Sequence, residues 1–138
     1  MELHLHHVGV LVKQIAESAE NFRRLGYEAR TPVVHDPVQT AYVQFFRLPK
    51  DRVYLELVAP AEEGSKLDNA LRKGGGLHHV CYATADIEGA CAEMCGAGWF
   101  LVAEPVAAVA FGGRRVAWLR GADRMLTELV EEGAEGEL

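Results

Sequence analysis

His6-His7-Val8 recurs as His78-His79-Val80, an offset of 79 − 7 = 72 residues. Carried along the chain without gaps, that offset lays Ile15 on Ile87, Gly26 on Gly98 and Tyr27 on Trp99. At the far end it lays Glu56-Leu57-Val58 on Glu128-Leu129-Val130. Chance could supply one such match, but an ungapped set across a whole module reads as an internal repeat. The chain is therefore expected to be a single domain of two modules, about 1–60 and 74–132, joined by a short helix.

Both modules carry the same local pattern. Residues 3–12 are short and β-rich and read as a strand. Ile15, Ala19, Phe22 and Leu25 recur at helical spacing, and Gly26 follows as a stop. Residues 27–34, 39–48 and 52–58 read as three further strands, with a turn at His35-Asp36-Pro37 and another at Pro49-Lys50-Asp51. The order is βαβββ. Residues 66–73 read as the linking helix, closed by Gly74-Gly75-Gly76. In the second module a strand over 77–84 precedes a helix that Asp86 caps and Gly96 and Gly98 end. Strands are expected near 99–103, 107–111, 114–119 and 124–131, with a loop as the alternative for one of the two in the apolar stretch 99–111 and Gly112-Gly113 as a tight turn.

The repeated polar residues lie where they are costly. His7 and His79 sit in the first strand of each module, Glu56 and Glu128 in the last. Side chains alternate along a strand, so Glu56 shares a face with Tyr54 and Val58, and Glu128 with Leu126 and Val130. A carboxylate among apolar neighbours must be paired or metal-bound to be buried. Taken singly, each residue reads as a solvated or internally satisfied side chain. The repeat raises the joint reading: four ligands meeting about a pseudo-twofold axis. Two imidazoles and two carboxylates suit one divalent first-row ion, among them cobalt, nickel, zinc, manganese or iron(II). His4, His6, His35 and His78 have no comparable support.

Composition narrows the partners. The 138 residues carry a net charge of −6 with scattered Lys and Arg, which argues against nucleic acid. No run of eighteen apolar residues is long enough for a membrane span, and the start of the chain lacks the features of a secretory signal. Three cysteines (Cys81, Cys91, Cys95), an odd number, suggest reduced thiols and a cytoplasmic protein. Cys91 and Cys95 read as small helix-face residues. Arg114 and Arg115 form the densest basic pair. Alternation would send one of them toward a cleft, where a guanidinium suits a carboxylate or phosphate. Open sheet edges and the apolar stretch 99–111 point to a homodimer.

His6-His7-Val8-Gly9-Val10, Gly75-Gly76-Leu77-His78-His79-Val80 and Thr127-Glu128-Leu129-Val130 together resemble the vicinal-oxygen-chelate superfamily of glyoxalases, bleomycin-resistance proteins and dioxygenases. Tyr54-Leu55-Glu56-Leu57-Val58-Ala59-Pro60 and Gly112-Gly113-Arg114-Arg115-Val116-Ala117-Trp118-Leu119 are most similar to methylmalonyl-CoA epimerases. The resemblance implies an α+β fold, two βαβββ modules forming a paired, curved mixed sheet around a metal-binding cleft. It implies His7, Glu56, His79 and Glu128 as metal ligands, with Glu128 or Glu56 as the catalytic base. Arg114, Arg115 and Gln44 are the candidate substrate contacts. The implied activity is proton transfer α to a thioester carbonyl of an acyl-CoA, through a metal-stabilised enolate. Alternatives are a glyoxalase I-type lactoylglutathione lyase acting on a glutathione adduct, and a non-catalytic binding protein of the bleomycin-resistance kind. An iron(II) extradiol dioxygenase fits less well, because Glu56 would crowd its open positions. Some epimerases place an additional carboxylate in the third strand; Ala41-Tyr42-Val43-Gln44-Phe45-Phe46 has none.

Overall fold

The computed structural model describes residues 1–138. The chain divides into two compact units, one of His7–His78 and one joining Met1–His6 to His79–Leu138. The class is α+β, mostly sheet with three α-helices. No helix is long and apolar enough to cross a membrane.

In the His7–His78 unit, β1 (His4–Leu11, from His7 onward) leads to α1 (Ile15–Arg23), β2 (Glu28–Ala29), β3 (Val34–Asp36), β4 (Ala41–Arg47), β5 (Tyr54–Pro60) and α2 (Asp68–Arg72). β1 runs parallel to β5 and β4 runs antiparallel to it, so the sheet is mixed. β2 and β3 both pair with β4 and act as one interrupted strand. The stripe on α1 predicts its seat: Ile15 and Ala19 bury against Phe46, Leu55, Leu57 and Ala59, with Phe22 alongside. Gly26, at φ +102°, takes the left-handed turn that stops the helix.

Two expectations need adjustment here. The strand read over 27–34 pairs only at Glu28–Ala29, and Val34 resumes it after Pro32, which has no N–H for a ladder. The turn read at His35-Asp36-Pro37 begins later, because His35 and Asp36 still pair with Tyr42 and Ala41. The Asp36 carboxylate accepts from the N–H groups of Val38 (3.0 Å) and Gln39 (3.1 Å), which sets the turn after it.

In the other unit, β6 (Gly76–Thr84, from His79 onward) leads to α3 (Ile87–Gly96), β7 (Phe100–Ala107), β8 (Arg115–Arg120) and β9 (Leu126–Glu131). β6 is parallel to β9; β8 is antiparallel to β9 and β7 to β8. The Asp86 side chain accepts from Gly89 N–H at 3.0 Å, the expected cap of α3. Ile87, Ala90, Cys91 and Met94 bury against Ala117, Leu119 and Leu129. Cys91 is thus a core residue, and burial pushes its thiol up from its ordinary value, whereas Cys95 is exposed.

In the apolar stretch 99–111 the structure takes the alternative with a single strand. It forms one strand, Phe100–Ala107, and then a 3₁₀ turn over Val109–Phe111. The ladder with β8 shifts register between Leu101 and Ala103 and again between Ala103 and Val106. Pro105 lies in the second shift, where a missing N–H is tolerated. The first six residues pack in this unit. The Met1 ammonium lies 3.1 Å from Glu93, Leu3 covers the α3 cluster, and the His6 ring meets Phe111 edge-on at 5.6 Å.

Candidate functional site

Register decides which side chains share a face. In the His7–His78 unit, His7 is level with Tyr54, Gly9 with Glu56, and Glu56 with Phe45. His7, Tyr54, Glu56 and Phe45 therefore stand on the face opposite α1, away from Leu55, Leu57 and Phe46. Glu56 Oε1 lies 3.3 Å from His7 Nε2. The Phe45 ring meets the imidazole edge-to-face at 5.1 Å and 82°. His7 is 0% exposed and Glu56 6%, so water cannot solvate the carboxylate's charge.

The other unit repeats the arrangement. Cys81 is level with Glu128, and Glu128 with Trp118. Glu128 Oε1 lies 3.6 Å from His79 Nε2, with both side chains buried. The Trp118 ring stands edge-to-face to His79 at 4.8 Å and 79°. In each unit, the residue directly opposite the glutamate on the antiparallel neighbour strand is an aromatic that walls the imidazole.

Each unit thus presents one imidazole nitrogen and one carboxylate oxygen as adjacent donors. Two atoms each bonded at about 2.1 Å to one ion lie roughly 3.0–3.4 Å apart, for right-angled to tetrahedral coordination. The distances within the pairs are near that ligand edge. The donor types, neutral nitrogen beside anionic oxygen, suit a borderline divalent ion.

The other expected site residues stand elsewhere. Gln44 shares the α1 face with its partner Leu57, and its Nε2 donates to the Thr31 carbonyl at 2.9 Å. Arg114 donates from Nε to the Phe111 carbonyl and from Nη1 to the Glu131 carbonyl, each at 3.1 Å, with Glu137 3.7 Å away. Arg115 Nη1 lies 2.7 Å from Glu88 and Nη2 3.0 Å from Glu131, whose other oxygen accepts the Arg115 N–H at 2.6 Å. These bonds to Arg115 hold the Glu131 carboxyl below its ordinary value. A pocket of about 330 Å³ bounded by Glu88, Cys91, Leu101, Glu104, Pro105 and Arg115 opens beside α3. His79 and Glu128 do not line it.

Sequence reasoning passed over Phe45, Trp118 and Tyr54. The signal was present: Phe45 and Trp118 each fall on a strand next to a glutamate strand. Only the register shows that each stands directly opposite the carboxylate.

Comparison with known proteins agrees with this construction. The Glyoxalase/Bleomycin resistance protein/Dioxygenase superfamily matches residues 6–118. An ethylmalonyl-CoA/methylmalonyl-CoA epimerase of Cereibacter sphaeroides is 36% identical over 86 residues, covering 60% of this chain. The match spans 62% of that relative's length. A methylmalonyl-CoA epimerase variant of Streptomyces coelicolor, solved with 2-nitronate-propionyl-CoA, is 26% identical with a TM-score of 0.84, over 96% of this chain and 97% of that one. A hypothetical protein of Bacillus halodurans C-125 shares the fold, with a TM-score of 0.87 at 24% identity over 100% of both chains. A repeated βαβββ pattern, a buried His–Glu pair in each half and a family match across most of the sequence lead to one conclusion: the chain belongs to the glyoxalase/bleomycin resistance protein/dioxygenase superfamily.

Proposed function

We propose that the protein is a metal-dependent epimerase that moves the proton α to the thioester carbonyl of an acyl-CoA of the methylmalonyl-CoA type. His7, Glu56, His79 and Glu128 would together hold one divalent ion, of cobalt, nickel, zinc or manganese. The observation that carries the reading is the buried imidazole–carboxylate pair, present in both units at ligand-edge spacing. The epimerase activity of the Cereibacter relative and the acyl-CoA analogue bound to the Streptomyces protein support the substrate class.

When bound, the ion would polarise the thioester carbonyl and lower the barrier to removing the neighbouring proton. The chain's own residues do the rest. Glu56 and Glu128 are the carboxylates on hand to take the α-proton at Oε1 and return it to the opposite face. The rings of Phe45 and Trp118 fix the imidazoles by edge contact and keep water from both carboxylates.

A second reading is a glyoxalase I-type isomerisation of a glutathione hemithioacetal. It is favoured by one observation: β4, Ala41–Arg47, contains no carboxylate, so the proton falls to Glu56 or Glu128. Metal analysis of the purified protein, followed by α-proton exchange in deuterated water, tests both. One ion per chain and exchange into methylmalonyl-CoA support the epimerase. Exchange confined to the hemithioacetal of methylglyoxal and glutathione supports the lyase. Metal-free protein that is inert to added ions would overturn both.

A further inference from the structure

Ten arginines are present, and three of them are half-buried: Arg47, Arg114 and Arg115. Arg114 and Arg115 have carboxylates beside them. Arg47 has no ion pair. Its Nη1 donates to Tyr54 Oη at 3.3 Å, and its guanidinium lies over the Tyr54 ring, 5.2 Å from the centroid. Its Nε is shut off from solvent and bonds to nothing within the chain. A half-buried cation short of acceptors is a costly arrangement that a structural role alone does not explain.

Its place gives it a use. Phe46 is level with Leu55, so Arg47 is level with Tyr54 and follows Phe45 and Val43 on the face opposite α1. Tyr54 is in turn level with His7. A row therefore crosses three strands: His7 on β1, Tyr54 on β5, Arg47 on β4. Ring contacts run beside it, Phe45 to Tyr54 at 6.2 Å and Phe45 to His7 at 5.1 Å. Two strand spacings, about 10 Å, separate the backbones at the two ends of that row. Arg47 thus faces the same side as the His7–Glu56 pair, a few substrate bonds away from it. Glu28 is its neighbour on β2 but is exposed and forms no ion pair with it.

We propose that Arg47, held on Tyr54, is an anion subsite that binds an oxyanion of the substrate, a carboxylate or a phosphate. The inference rests on the acyl-CoA reading for the identity of the substrate, but the subsite itself can be tested without it. The guanidinium donates in a planar fork suited to either oxyanion, and the tyrosine ring keeps it in one orientation at little cost in mobility.

The test follows the Arg47 Nε–H resonance in nitrogen-15 spectra, assigned as the signal missing from Arg47→Lys, while malonate and then inorganic phosphate are added. A saturable shift with either anion is expected. No shift with either overturns the subsite, as does a resonance that moves in Glu28→Gln but ignores both anions. Dissociation constants of methylmalonyl-CoA and propionyl-CoA then name the group, with folding of Arg47→Met checked by circular dichroism. A weakening on the order of 10-fold confined to methylmalonyl-CoA assigns the acyl carboxylate. The same weakening for both assigns a phosphate of the CoA moiety. Unchanged constants for both overturn the substrate role. If the parent protein binds neither thioester, the acyl-CoA reading fails, and the malonate and phosphate titrations still decide the subsite.

Discussion

Gly9 is level with Glu56 in the parallel pairing of β1 with β5, and it contributes no side chain beside that carboxylate. Space next to the glutamate is thus written into the strand before it. At the equivalent rung of the other unit, Cys81 is level with Glu128. We expect Gly9→Val to crowd Glu56 away from His7. It should cost about 1–3 kcal/mol of stability, as overpacking does, and also weaken binding of the proposed ion. Cys81→Val, close in volume, should cost less than about 1.5 kcal/mol and leave the metal in place. Thermal melts and metal content of the two variants check this; full metal retention in Gly9→Val would contradict it.

For the proposed ion, removing one of the four proposed ligands should cost more than removing a residue that only supports one. Outer partners of metal ligands are worth roughly 10–100-fold in affinity. His7→Ala, Glu56→Ala, His79→Ala and Glu128→Ala should each exceed that range, while Phe45→Leu and Trp118→Phe stay inside it. Competition with a chelator of known affinity measures both groups. A ligand variant that binds as tightly as the parent would remove that residue from the set.

Acid should weaken the fold partly through Glu131. Its carboxyl titrates below the ordinary value because Arg115 donates to it twice, from side chain and backbone. A depressed folded-state value stabilises the fold above the unfolded value near 4.3, and that gain disappears as the pH falls through the folded-state value. The pair is half-exposed, so solvent screening keeps its share of the stability small. Urea titrations at pH 7 and pH 3 should show a smaller acid loss for Arg115→Met than for the parent. Equal losses would refute this account of Glu131.

Arg114 ties down the chain's last residues. It binds the carbonyls of Phe111 and Glu131, lies over the Phe111 ring at 5.6 Å and faces Glu137. Arg114→Ala should cost about 1–3 kcal/mol and expose the segment after Glu131 to proteolysis. Cleavage mapped by mass spectrometry should move to residues 132–138, and an unchanged digest would argue against the tether.

We also expect a homodimer. Along β7, Phe100, Val102 and Val106 are exposed with Glu104 among them, apolar area on a sheet edge of the kind that a partner strand covers. Light scattering should give about twice the chain mass of 15.1 kDa. A value near one chain at micromolar concentration would count against the dimer.

Much of this was legible in the sequence, for reasons that particular residues make clear. The offset of 72 located His7, Glu56, His79 and Glu128 because a duplication repeats its costly residues together with its cheap ones. Helix ends were legible because Gly26 and Asp86 act locally, through a positive φ and a side-chain acceptor. The β7 region was not. Leu101, Val102, Ala103 and Val106 look alike to any hydropathy pattern, and only the ladder to β8 shows where the register slips around Pro105. The partners of Arg114 and Arg115 were also hidden, because Glu88, Glu131 and Glu137 come from distant stretches of chain. Arg47 carries no motif at all; its interest comes from lacking a counter-charge in a half-buried position.

Met1–His6 packs in the same compact unit as His79–Leu138. The duplicated halves are therefore not autonomous pieces. A fragment cut in the linker near residue 64 would carry off Leu3, which covers the α3 cluster, and the ammonium group that faces Glu93. During synthesis, the first six residues emerge from the ribosome long before β9 exists to complete their unit. That closure joins residues 1–6 to a unit that begins at His79, and such distant contacts are among the slower ones to form.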